Sequence, residues 1–362
     1  MKTAAAQWLG HLSSKTFARL SGRRFEFDRT PPFKPTRAGK RVPCRPALFD
    51  PEHLSRVTQC AFGASLDDLH KVMTADHYIE NPLETLELTD AIVIGGVIFA
   101  DGKALIHSKF VHPGLGDVVK STPVMDDTVL INSMPGLRYF GHWLGDDTTA
   151  FEAYRQHPGL VSLPLPSWDN VPVYAGLFDH NWDQRMVLRS RKLTLVRDLG
   201  FSLDKADRYR TLRDRLRQNF GSLPENRSKV VFLRRGPSGD PRQIVNSSEL
   251  ERRLDAAGVQ IVTAEGDTHQ LIADMLDATI IISIEGSQDR HASYNLRDGG
   301  GMLSLLPPDR FYVSTHEWVR NLELNSGIVI GHAAEGGITI DPDEVLAMID
   351  KLLARIETLD AV

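Results

Sequence analysis

Cysteine is scarce: Cys44 and Cys60 are the two in 362 residues, and they stand in different contexts without the spacing of a zinc site. This argues against a disulfide framework and fits a reducing compartment. No apolar run approaches the roughly 20 residues that cross a bilayer. The N-terminus shows no apolar core of a secretory signal, so the expected location is the cytoplasm. The usual phosphate-loop signatures are missing too. There is neither a Gly-x-x-x-x-Gly-Lys-Ser/Thr loop nor a dinucleotide Gly-x-Gly-x-x-Gly. Gly286-Ser287 follows Glu285 and so lacks the Gly-x-Ser-x-Gly frame of a hydrolase elbow.

Charge is present but uneven. Residues 1–50 carry +8, from eleven Lys or Arg against Glu26, Asp28 and Asp50, while the whole chain is −5. Such an arm would suit peripheral contact with an anionic membrane surface, here the inner membrane; the competing reading is a solvated extension. Aromatics are few in it and the remaining chain is acidic, which argues against nucleic-acid binding. Hydrophobic residues at 41 % and charged residues at 25 % describe a soluble globular protein. Its length suits two domains.

The boundaries read from pattern are a basic extension (1–50), a first α/β domain (51–225), a second α/β domain (226–340) and a terminal helix (341–362) expected to pack back on the first domain. In the first domain, 91–98 reads as one buried strand, Asp101-Gly102 as a hairpin turn and 104–108 as the returning strand. Residues 128–132 read as a strand, 141–154 as a helix, 173–177 as a strand and 180–220 as mostly helical. In the second, strands at 229–233, 259–263, 279–284 and 301–306 alternate with helices at 247–257 and from Thr268, which is expected to cap the latter. That alternation predicts βαβ units and a parallel, doubly wound sheet. Asp341-Pro342-Asp343 has the spacing of a metal-binding pair, but a helix start explains it better.

In an open sheet of this kind ligands sit beyond the carboxyl ends of the strands. One such end carries Arg234 and Arg235, with Arg242 on the following loop; guanidinium forks of this kind suit a diphosphate. Another carries Glu285, Gly286, Ser287, Gln288 and His291, with Gly286 permitting close backbone approach. The competing reading is surface arginines beside an ordinary turn. In the first domain, Gly141-His142-Trp143-Leu144-Gly145-Asp146-Asp147 places His142 and Asp146 four apart, on one helix face. Such a pair has general-base chemistry. The alternative makes Asp146 or Asp147 the cap of a later helix, with His142 in the core.

These pieces, in this order, resemble glycosyltransferase family 61, often labelled bacterial capsular polysaccharide biosynthesis proteins. The resemblance spans about 90–310 and rests on 91–102, on Tyr-Phe-Gly-His-Trp-Leu-Gly-Asp at 139–146 and on Val-Phe-Leu-Arg-Arg at 231–235. It continues through Arg-Gln-Ile-Val-Asn at 242–246, Glu249-Leu250 and Glu-Gly-Ser at 285–287. It implies a GT-B-like fold of two facing Rossmann-type domains, the first on the acceptor side and the second holding a nucleoside-diphosphate sugar. It also implies inverting transfer to a glycan hydroxyl, generally without a catalytic metal or other cofactor. Carried over by residue, Arg234 and Arg242 would stabilise the leaving diphosphate, Asn246 matches the family asparagine, and Asp146 would be the base with His142 its partner. The 285–287 turn would contact the nucleoside or phosphates. The sequence departs from the family pattern where Glu285 stands for a common His and Ser247 for a common acidic residue. A non-catalytic nucleotide-sugar or glycan-binding module of the same fold is the alternative. A phosphate-ester hydrolase with Asp146 and Asp147 as metal ligands is a third reading.

Overall fold

The apolar run ending at Ile284 becomes the strand Ala278–Ile284, buried at every position. A strand apolar on both faces belongs in the middle of a parallel sheet covered by helices, and there it lies. The computed structural model describes residues 32–100, 103–114, 116–117, 122–220, 229–236 and 242–361. Most of the basic arm, the Asp101-Gly102 turn and loop residues 237–241 lie outside the described residues. The chain is mixed α/β and divides into two units, residues 1–38 with 82–200 and residues 39–81 with 201–362. These bounds differ from those read in the sequence: residues 51–81 and 201–220 belong with the second unit.

The second unit holds a six-stranded parallel sheet in the order Gln260–Thr263, Val230–Arg234, Ala278–Ile284, Leu296–Leu306, Asn325–Ile330 and Leu48–Phe49. The order of its first five strands by chain position is therefore 2-1-3-4-5. Helix Ser247–Ala256 ends at Gly258, whose φ of +82° suits the left-handed stop of a helix. Its Leu250 and Leu254 pack with Phe232, Ile282 and Leu303. The cap of helix Thr268–Met275 is Asp267, which accepts from the His269 amide; Thr268 is the first helical residue. Asp341 caps Pro342–Asp360 by accepting from the Asp343 amide, with Pro342 in the first turn, where its missing N–H costs nothing. This terminal helix belongs to the second unit. Val345, Ile349, Leu352 and Ile356 lie in the core of its own sheet with Ile280, Leu305 and Val329.

The first unit carries a mixed sheet rather than a Rossmann-type one. Its order is Lys103–Ile106, Val97–Ala100, Glu84–Ile94, Val187–Arg197, Val124–Leu130 and Leu160–Val161, with Lys34–Pro35 also paired to Glu84–Ile94. The pairs are antiparallel up to Val187–Arg197 and parallel beyond it. The expected single strand over 91–98 is broken by a two-residue turn at Gly95-Gly96, and such short turns join antiparallel strands only. A Cβ on Gly96 would lie 1.9 Å from the Ser108 carbonyl oxygen, which the turn lets approach.

Two further assignments change. Asn170–Leu177 is a helix, because Val171, Tyr174 and Leu177 recur every third residue on its buried side and Pro172 falls in its first turn. Val187–Arg197 is a strand inside the stretch read as helical. It pairs with both Glu84–Ile94 and Val124–Leu130, and this long-range pairing outweighs its helix-forming Lys, Arg and Leu. No helix among the described residues is long and apolar enough to cross a membrane. Ile282 is fully buried in the core that the two flanking strands form with helices Ser247–Ala256 and Pro342–Asp360. Ile282→Ala is expected to cost about 2–5 kcal/mol in urea unfolding, the penalty of a large-to-small change in a close-packed core. A change below about 1 kcal/mol would contradict this placement.

Candidate functional site

In the first unit a helix begins at Phe140, passes through a wider π-type turn at Trp143–Asp147 and continues as Thr148–Tyr154. Its continuity rules out Asp146 or Asp147 as the cap of a later helix. Such π-type turns often mark functional positions, because the extra residue re-aims nearby side chains. Here His142 Nδ1 and Asp146 Oδ2 are 2.7 Å apart. Asp146 is 2 % exposed and the His142 side chain 43 %, so the carboxylate lies behind the ring. Thr149 Oγ1 donates to the Asp198 carboxylate and ties the following turn to the end of Val187–Arg197.

Asp147 faces elsewhere. Its Oδ1 accepts from the Ser133 amide at 3.0 Å, and a Cβ on Gly136 would meet its Oδ2 at 2.0 Å. Burial pushes the Asp147 carboxyl well above the usual carboxylate range. Asp146 and Asp147 therefore point to different surroundings and do not form one paired carboxylate site, which is what the hydrolase reading needs. Among the described residues no three His, Cys, Asp or Glu side chains gather as a metal site would need. A cavity of about 410 Å³ in this unit, lined by Phe33, Leu105, His107, Met134 and Leu195, touches neither His142 nor Asp146.

In the second unit, strands Val230–Arg234 and Ala278–Ile284 are parallel neighbours. The first connects outward to Gln260–Thr263 and the second the opposite way to Leu296–Leu306. With right-handed crossovers their helices leave on opposite faces, which opens a crevice at the carboxyl ends of these two strands. Arg235, Arg242, Glu285, Gly286 and Gln288 meet there. Arg235 Nη1 donates to Gln288 Oε1 at 3.1 Å. Arg242 Nε lies 2.8 Å from Glu285 Oε2, and Arg310 Nε lies 4.0 Å from the same oxygen. None of these three buried atoms completes a hydrogen bond within the protein. Gly286 has φ +154° and ψ 178°, a region nearly confined to glycine, and a Cβ there would meet Arg235 Nη1 at 2.3 Å.

The remaining predicted residues are not part of this group. Successive side chains of a strand point to opposite sides, and Arg234 accordingly turns away from Arg235, donating to Glu251 and Thr263. Asn246 spends its amide on the backbone of Ile340, donating to the carbonyl at 2.8 Å and accepting from the N–H at 3.0 Å. Ser287 opens a single turn of helix and is half-buried. His291 is 1 % exposed, and burial pushes its imidazole down to about 3, so it stays neutral in the core. Arg310 was missed by sequence reasoning. Its signal was its place just after Pro307-Pro308, beyond the end of another parallel strand.

The second unit is thus a parallel α/β domain with an arginine-bearing crevice at its strand-order reversal, a common anion- and nucleotide-binding arrangement. Residues 140–294 match the family described as Glycosyltransferase 61. The match begins at the His142 helix and ends just after the 285–291 turn, so it holds all the residues read as candidates. It supports a transferase role in general terms. No curated protein matches the chain closely enough to count as a relative.

The turn at Gly286 rests on Asp289, whose amide donates to the Gly286 carbonyl and whose Oδ2 accepts from Thr315 Oγ1 at 2.6 Å. Burial pushes this carboxyl from 3.8 up to about 6. The folded protein then holds the proton more tightly than the unfolded chain. The contribution to stability is complete below the unfolded value and is lost as pH rises through about 6. Urea midpoints of the wild type should therefore fall relative to those of Asp289→Asn between about pH 4 and pH 7. Parallel pH profiles for the two proteins would contradict it.

Proposed function

We propose that the protein is an inverting glycosyltransferase that moves a sugar from a nucleoside diphosphate to a hydroxyl of a glycan or related acceptor. The observation that carries this reading is the convergence of Arg235 and Arg242 beside Gly286 at the strand-order reversal. The second unit takes the donor role, and the His142–Asp146 pair of the first has general-base chemistry. The family match at 140–294 supports the same class.

Burial supports one division of roles within the His–Asp pair. Asp146 is hidden behind the ring, and the partly exposed imidazole is the group an acceptor can reach. Asp146 accepts the Nδ1 proton, fixes the tautomer and leaves Nε2 as the basic atom. This reverses the roles inferred from the family resemblance. The acceptor oxygen attacks the anomeric carbon as its proton passes to His142 Nε2. The bond between that carbon and the phosphate oxygen breaks, and the nucleoside diphosphate leaves with its charge met by Arg235 and Arg242. The reaction needs no metal on this reading, and its place is the cytoplasm, with the basic N-terminal arm at an anionic membrane surface.

The test is turnover of the sugar conjugates of UDP, GDP, CDP and ADP, with and without EDTA. His142→Asn should lower kcat by about 10²–10⁴-fold, the usual contribution of a positioned base, while leaving nucleotide affinity intact. Undiminished kcat in that variant would place the base elsewhere, and complete loss of turnover in EDTA would argue for a metal-dependent reaction. Binding without turnover of any conjugate would favour the non-catalytic binding module.

A further inference from the structure

Phe62 is 77 % exposed, yet its backbone sits at φ 56°, ψ 23°. A bulky residue in the left-handed region is an outlier that the surrounding chain must hold in place. Here the hold is explicit. The amides of Thr58 and Gln59 both donate to the Pro308 carbonyl, Ala61 donates to Phe311, and Phe311 donates back to Gln59. The segment is thereby laced to the loop that follows strand Leu296–Leu306, at the carboxyl edge of the parallel sheet. The lacing holds the backbone from which the ring stands outward.

The neighbours of that ring lead back to the crevice. Phe62 meets Tyr312 edge to face with centroids 5.1 Å apart. The Arg310 guanidinium lies 5.5 Å from the Phe62 centroid, and Arg310 Nε is 4.0 Å from Glu285 Oε2. That oxygen in turn is 2.8 Å from Arg242 Nε. Glu285 Oε2 and both Nε atoms are buried without a hydrogen bond in the protein, and the Arg242 and Glu285 side chains are 9 % and 10 % exposed. The order along this edge is cation, buried acceptor, cation, open aromatic face. A nucleoside diphosphate has a matching run: phosphates for Arg242, ribose hydroxyls for Glu285, and a flat base for the aromatic face that Arg310 backs.

We infer that Phe62, backed by Tyr312 and Arg310, is the shelf on which the nucleobase of the bound nucleoside diphosphate stacks. This rests on the donor reading proposed above and adds to it a binding element from the N-terminal side of the second unit, outside the matched residues 140–294. Glu285 accepts from the ribose, and Arg242 and Arg235 take the phosphates. Stacking is tolerant of base identity, because every base has a π-face. The shelf therefore supplies affinity for nucleosides as a class, and polar contacts choose among them.

The experiment is calorimetric titration of the full chain with UDP, GDP, CDP, ADP and inorganic pyrophosphate. Phe62→Ala should weaken the best-bound nucleoside diphosphate about tenfold, the scale of one base–aromatic stack, with pyrophosphate affinity unchanged. Phe62→Tyr should restore nucleotide affinity, and thermal melting of both variants should match the wild type because the side chain is exposed. Arg242→Gln should weaken nucleotide and pyrophosphate alike. Wild-type nucleotide affinity in Phe62→Ala, or an equal loss for pyrophosphate, would overturn the shelf while leaving the arginine site standing. Failure of the wild type to bind any nucleoside diphosphate would overturn the shelf and the donor reading together.

Discussion

Residues 230–233 pair in parallel with 280–283, so both chains leave the sheet at the same edge and whatever follows them shares one neighbourhood. The loop carrying Arg235 and Arg242 and the turn carrying Glu285 to Gln288 are brought together in this way, although some fifty residues separate them in sequence. Since the helices after these strands depart on opposite faces, neither fills the gap. Around Gly286 stand the guanidinium groups of Arg235 and Arg242. A side chain at Gly286 would displace Arg235. Glu285 sets Arg242 in place by charge but leaves its Nε–H without a hydrogen bond.

The first unit uses a different device. Its helix carries His142 and Asp146 one turn apart through a local widening, with Trp143 and Leu144 fully buried as the anchor. The buried carboxylate and the half-exposed ring form an ordered pair in which only the ring is accessible. Adjacent Asp147 has the same formal chemistry but is buried under Gly136, and burial pushes its carboxyl well above the usual carboxylate range. Two neighbouring, equally buried aspartates are thus distinguished by their partners, His142 for one and the Ser133 amide for the other.

Much of the second unit was legible in the sequence because strands buried on both faces are written as plain apolar runs, as at 279–284. The first unit was harder. Val187–Arg197 mixes Lys and Arg with Leu and is a strand only through partners far away in sequence. Gly95-Gly96 was hidden inside an apolar run. The strand-end rule pointed to Arg235, Arg242 and the 285–288 turn, and the structure brings these residues together. Alternation along a strand tells that Arg234 and Arg235 part company, but not which of them faces Gly286. Asn246 and His291 looked chemically useful and serve the backbone and the core instead. Phe62 was out of reach, since its place depends on a bridge between Cys60 and Phe311, about 250 residues apart.

The central claim is that the crevice between Val230–Arg234 and Ala278–Ile284 binds a diphosphate through Arg235 and Arg242. The most direct measurement is the thermal shift produced by UDP, GDP, CDP and ADP on the wild type and on a double Arg235→Ala, Arg242→Ala variant. A ligand that binds only the folded state raises the melting temperature by mass action. The account predicts a shift for at least one nucleotide in the wild type and its loss in the double variant. An equal shift in both proteins would contradict it.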